Sequence, residues 1–209
     1  MNILVIAPHP DDEAIGCGGS IRLHADRGDR VAVVFLTSGE LGLEHLAPEE
    51  AARIREREAA QASAILGVVR SEFLRLADWF LGDDQSLAVA RLVPILREEH
   101  PARIYLPHPE DAHPDHRCTL PVVRAALREA ALSAELWAYE IWSPLVRAEE
   151  IADITAAMPA KLRAVRCYGS QLASFRYDRA VRGLNQYRGA LFAKCAYAEA
   201  FEALGFSGE

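Results

Sequence analysis

Residues Asn2 to Gly19 read N-I-L-V-I-A-P-H-P-D-D-E-A-I-G-C-G-G. Asn2–Ala7 is a short, almost continuous apolar run, the pattern of a strand buried on both faces. A helix is predicted from Glu13 to Arg27, closed by Gly28. A buried strand feeding directly into a helix is the opening half of a βαβ unit. Outward from it the alternation continues. Val31–Thr37 reads as a second buried strand, and Pro48–Leu66 as a helix stopped by Gly67. Ser71–Leu76 is a third strand. Leu87–Glu99 is helical, with Pro94 either kinking it or marking a late start. Ile104–Leu106, His116–Leu132 and Leu136–Ile141 follow as strand, helix and strand. Strict alternation implies right-handed crossovers and a mostly parallel sheet. The expected fold is α/β, a three-layer, Rossmann-like arrangement with helices on both sheet faces. Ligands in such sheets bind beyond the carboxyl ends of the strands.

Beyond Ser143 the pattern is less regular. Helical stretches are expected near Ala156–Tyr168 and Ala196–Leu204. With 209 residues, 51% of them hydrophobic and 25% charged, one domain over residues 1–209 is expected, with ample core material. The formal net charge of −7 argues against nucleic acid or an anionic membrane as partner. No apolar run is long enough to span a bilayer, and the start lacks the basic segment of a signal peptide. Cys17, Cys118, Cys167 and Cys195 are scattered without CxxC spacing, so neither disulfides nor a zinc–thiolate cluster is expected. A cytoplasmic protein is the expectation.

Two polar clusters carry the chemistry. In the first, Asp11, Asp12 and Glu13 repel one another unless a cation is near. His9 and Asp12 can both reach one divalent ion from a turn stiffened by Pro8 and Pro10. Asp11 would then lie beside the ion, placed to take a proton from water. Simple helix capping accounts for one of these acids but not for His9 or for three acids together. Gly16, Gly18 and Gly19 do not form a dinucleotide loop, because Ile21 stands where the third glycine belongs. Close helix–sheet packing accounts for them better.

The second cluster, His108 to Arg117, reads H-P-E-D-A-H-P-D-H-R. Pro114 suits a first helical position, which sets His113 and His116 on one opening turn. One of the two can complete a three-ligand site with His9 and Asp12. The other stays free as a proton donor or oxyanion stabiliser. Two histidines, one carboxylate and an open position form a hydrolytic zinc arrangement. His24, His45 and His100 lack such company, and His108 is expected at the pocket rim. Trp79, Phe80, Trp137, Tyr139, Trp142 and Tyr177 include candidates for sugar stacking.

P-H-P-D-D-E (Pro8–Glu13) and H-P-D-H (His113–His116) together resemble the PIG-L/LmbE-like zinc-dependent N-deacetylases. L-T-S-G-E (Leu36–Glu40), the Arg/Glu stretch Arg55–Val68, Ser170-Gln171 and Y-A-E-A-F (Tyr197–Phe201) extend the resemblance along the chain. It implies His9, Asp12 and His116 as metal ligands and Asp11 as the base. It implies that His113 stabilises the tetrahedral intermediate or protonates the amine, with Asp115 orienting its ring. It further implies Glu40, Arg55 and Asp78 as sugar contacts. The expected metal is Zn2+, with Fe2+, Co2+ or Ni2+ compatible with the same donors. The expected substrate is a small N-acetylglucosamine-type sugar or glycoside. A larger N-acyl conjugate, or binding without turnover, is the alternative. Homo-oligomers occur in the family.

Overall fold

The computed structural model describes residues 1–206. Strands β1 (Asn2–Ala7), β2 (Arg30–Thr37), β3 (Arg70–Leu76), β4 (Arg103–Pro107), β5 (Glu135–Tyr139), β6 (Glu150–Asp153) and β7 (Ala198–Phe206) form one sheet. Its order is β3-β2-β1-β4-β5-β7-β6. β1 to β5 are mutually parallel, and β7 runs antiparallel to both β5 and β6. The helices are α1 (Asp12–Asp26), α2 (Pro48–Leu66), α3 (Gln85–Glu99), α4 (Pro114–Ala130), α5 (Met158–Cys167), α6 (Gly169–Leu172) and α7 (Tyr177–Arg188). A π-helical turn, Gly189–Ala193, follows α7.

The period-2 alternation of the strands sorts their side chains into two cores. Leu4, Ile6, Val34, Ile104 and Leu106 pack with residues of α3 and α4. Ile3, Val5, Val33, Phe35 and Tyr105 pack with residues of α1, α2 and α5 on the other face. This is the expected three-layer α/β arrangement. The strand order reverses between β1 and β4, so a crevice opens where their carboxyl ends diverge. Both polar clusters lie there.

α3 runs through Pro94 rather than starting late, and Asp84 caps it by accepting from Leu87 N at 3.0 Å. The Ala196–Leu204 segment corrects the helical expectation, because Ala198–Phe206 is strand β7. Its Ala and Glu content favours a helix locally. Pairing with β5 on one side and β6 on the other outweighs that preference. β6, α6 and α7 fill the remainder of the irregular segment.

α1 bends at Cys17, whose φ of −136° and ψ of 21° leave the helical region. Glu199 of β7 occupies the break. Its carboxylate accepts from Gly19 N and Ser20 N at 2.8 Å each and from Ser20 Oγ at 2.6 Å. Lys161 Nζ of α5 pairs with the same carboxylate at 2.6 Å, and both side chains are fully buried. The glycines of α1 are packing residues, as their spacing suggested. A Cβ on Gly16 would lie 2.2 Å from the Tyr139 ring, which its own hydroxyl pins by donating to Ile6 O at 2.7 Å. Gly16→Ala is therefore expected to lower stability by about 1–3 kcal/mol, read from the urea midpoint. An unchanged midpoint would mean that the ring yields freely.

Candidate metal centre and cavity

The loop after β1 is held by Thr37, whose backbone N–H and hydroxyl both donate to Pro8 O at 2.9 Å. That places His9 above the crevice. Three donor atoms then converge. His9 Nδ1 lies 3.1 Å from Asp12 Oδ2, which lies 3.2 Å from His116 Nε2, itself 3.3 Å from His9 Nδ1. Ligands of a tetrahedral zinc at about 2.0–2.1 Å stand about 3.3 Å apart, so the triangle has the right size. Each ring spends its outer nitrogen on carboxylates. His116 Nδ1 lies 2.9 Å from Asp111 Oδ1, and His9 Nε2 lies 3.2 Å from both Asp115 Oδ2 and Asp78 Oδ1. Protons on those outer nitrogens leave the inner lone pairs facing the triangle, the usual second shell of a metal-binding histidine. His9–His113–His116 and His9–Asp78–Asp115 also bring donors within 4.8 Å of one another. The His9–Asp12–His116 set fits better, because it alone uses the inner nitrogens of both rings together with a carboxylate.

Asp11 sits at the N-cap position of α1, yet its side chain makes no capping bond. Its φ of 127° is rare for a residue with a Cβ. The conformation turns its carboxylate toward Arg55 Nη2 at 3.2 Å. Arg55, on α2, also donates to Pro10 O at 2.7 Å and Gly39 O at 2.9 Å. One buried guanidinium thus ties the β1 and β2 loops to Asp11. Glu13 holds the Asp11 backbone by accepting from its N–H at 3.2 Å and is itself held by the Tyr168 hydroxyl at 2.5 Å. Burial pushes Asp11 up to about 7 against the pull of Arg55, and pushes Glu13 up to about 8. Burial also opposes the charge on Asp12. The fields of His116 and His9 outweigh it and hold that carboxyl well below the usual range. For His116 burial is again outweighed, by Asp12 and Asp111, so its ring rises to about 9.

His113 caps α4, and its Nδ1 accepts from Asp115 N at 3.2 Å. A neutral ring in that position carries its proton on Nε2. Burial, joined by the fields of His9 and His116, pushes it down to about 4. The Trp79 ring lies 4.5 Å from it, centroid to centroid. Asp115, expected to orient this ring, meets it through its backbone N–H. The carboxylate serves His9 and accepts from Trp79 N at 2.8 Å and Leu81 N at 3.2 Å.

Above the triangle lies a cavity of about 820 Å³. Asp78 and Arg55 reach its wall, while Glu40 does not line it. Glu40 Oε1 accepts from Asp78 N at 2.9 Å, so it braces the loop that carries Asp78. Of the expected aromatics, Trp79, Trp142 and Tyr177 line the cavity. Tyr139 is buried, and Trp137 packs under Arg103. Phe80 is exposed but lies off the cavity wall. His108 is buried against Ser143 O at 2.8 Å rather than at the rim, and His45 lines the cavity. Two participants were not anticipated. Asp111 holds His116 and also accepts from Trp142 N and Ser143 N. An acid five residues before a candidate ligand histidine was the available signal. Phe175 stacks on Tyr177, in a segment whose sequence carried no such signal.

The family described as PIG-L, GlcNAc-PI de-N-acetylase, matches residues 4–127, which include both polar clusters. The chain belongs to the PIG-L family. A diacetylchitobiose deacetylase of Thermococcus kodakarensis is 32% identical over 186 residues, covering 81% of this chain and 69% of that protein. Of two further curated relatives, the chain spans 61% and 45% of their lengths. N,N'-diacetylchitobiose deacetylase from Pyrococcus horikoshii superposes with a TM-score of 0.84 at 28% identity, covering 97% of this chain and 83% of that one. GalB, the 4-carboxy-2-hydroxymuconate hydratase of Pseudomonas putida KT2440, shares the fold at a TM-score of 0.85 and 23% identity, covering 98% and 97%. PIG-L relatives named as deacetylases are hydrolases of N-acetyl amide bonds. In this member His9, His113 and His116, and His9, Asp78 and Asp115, are groups of donors that could hold a metal ion. Among the described residues, no helix is long and apolar enough to cross a membrane.

Proposed function

We propose that the protein is a metal-dependent N-deacetylase acting on an N-acetylglucosamine-type sugar or glycoside, with His9, Asp12 and His116 holding zinc. The single observation that carries this reading is the triangle of inner donor atoms with Asp11 beside it. A divalent zinc held there supplies Lewis acidity and makes water more acidic.

The chain's own groups do the rest. Asp11, raised by burial into the neutral range, accepts the proton of the attacking water. Arg55 fixes that carboxylate by its contact at 3.2 Å. Neutral His113, with Nε2–H directed away from the Asp115 amide, donates to the amide oxygen as negative charge develops. The Nε2–H of neutral His113 serves the amide oxygen, so the proton taken by Asp11 is the one returned to the amine. Asp115 and Asp111 are positioning residues that fix the His9 and His116 rings. Asp78 and the Trp79 and Trp142 rings offer the sugar one acceptor and apolar faces.

The test is amine release from N-acetylglucosamine and its glycosides, before and after chelation and zinc return. Activity should vanish and recover, with metal near one per chain. His116→Ala should lose the metal and all measurable turnover. Full metal occupancy in that variant would remove His116 from the ligand set.

A further inference from the structure

A second cavity, of about 390 Å³, adjoins the first. The two share Ile15, Ile141, Trp142, Phe175 and Tyr177. Trp142 meets both Phe175 and Tyr177 edge-on, at 5.6 and 5.8 Å, so an aromatic cluster forms the partition. The far wall is α7, through Ala180, Val181, Leu184 and Asn185. This lining is mostly apolar, and its charged members are already engaged. Glu140 is taken by Arg188 and by Leu145 N at 2.7 Å, and the Arg176 guanidinium by Asp178 at 2.9 and 3.0 Å.

Asn185 is the exception. It is 4% exposed, and its Nδ2 donates to Ala198 O at 2.9 Å. That bond fixes which end of the amide is which. Its Oδ1 is buried and has no hydrogen-bond partner among the described residues. A buried carbonyl oxygen left unmatched is destabilising unless something donates to it. A neutral apolar pocket lined by a residue with one unmatched acceptor calls for a neutral apolar group with one matching donor.

We propose that this second cavity binds an uncharged, mainly apolar aglycone that carries one hydrogen-bond donor, with Asn185 Oδ1 as the acceptor. This rests on the first cavity's being the amino-sugar site. A glycoside with its acetamide over the metal triangle would extend past Trp142 and Phe175 into the second space. Asn185 is then a specificity residue on α7, the helix that walls the second cavity.

Two series of N-acetylglucosamine glycosides test this, bearing 4-hydroxyphenyl or 4-methoxyphenyl groups on alkyl linkers of graded length. The ratio of their kcat/KM values is the readout. At the best linker length the hydroxyl compound should be favoured about tenfold, as expected for one buried hydrogen bond. In Asn185→Leu the ratio should fall to about one. Ala180→Trp, at the exposed edge of the cavity, should remove the advantage of both aryl compounds over the methyl glycoside and guards against misfolding of the first variant. A wild-type ratio near one at every length, or an aryl advantage that survives Ala180→Trp, would overturn the proposal. Calorimetric binding of the free 4-hydroxyphenyl alkanols separates the two readings. Binding that needs Asn185, with no glycoside turned over, would sink the deacetylase reading and keep this one. Turnover without any aryl preference would do the reverse.

Discussion

Asp11→Asn is expected to keep its metal and lose turnover by about 10²–10⁴-fold, the usual contribution of a positioned general base. The side chain is nearly isosteric, and asparagine tolerates the φ of 127° at this position better than most residues. Arg55 retains its bonds to Pro10 O and Gly39 O, so the loops stay tied. What disappears is a carboxylate beside the triangle that neither belongs to it nor holds one of its rings. Elemental analysis and steady-state kinetics on the same preparation decide the matter. Loss of metal along with activity would make Asp11 a ligand. Retention of more than a tenth of the activity would move the base elsewhere. Because a hydratase shares this fold, the product should be identified as free amine and acetate.

The second large effect is on stability. Lys161→Met is expected to reduce unfolding free energy by about 3–5 kcal/mol, because it strands a fully buried Glu199 carboxylate. Three neutral donors remain on that carboxylate, from Gly19 and Ser20, but no positive charge. Lys161→Met with Glu199→Gln should recover part of the loss, since the pair is then removed together. Urea unfolding of the two variants gives both numbers. A loss below about 1 kcal/mol in the single variant would mean that the three donors suffice for the charge.

The two polar clusters were legible because each lies within a few residues at the end of a strand. His9 with Asp12, and His113 with His116, needed only a strand end and a helix start to be placed. The roles of neighbouring acids were not, because they depend on which way a carboxylate turns. Asp115 follows His113 by two residues, yet its carboxylate serves His9, 106 residues away, and its amide serves His113. Arg55 and Glu40 were read as sugar contacts; Arg55 reaches the cavity wall while also holding Asp11, Pro10 and Gly39, and Glu40 lies off the wall and braces Asp78. The C-terminal third resisted because its strand is built from residues that favour a helix. Phe175 and α7 belong to an irregular stretch whose partners are far off in sequence.

The bend in α1 has a consequence in time. Three of the parallel pairs, β1–β2, β2–β3 and β4–β5, join strands that follow one another in the chain, while β1–β4 sets Ile3 beside Arg103. The bend cannot be fixed by neighbours. Its carboxylate comes from a residue 180 positions downstream of Gly19, and bringing so distant a segment back carries an entropic cost that adjacent strands do not meet. The bend in the helix that begins at Asp12 therefore gains its carboxylate partner only when β7 is in place. A chain whose β7 has yet to dock would carry Gly19 and Ser20 N–H groups without the carboxylate that joins them.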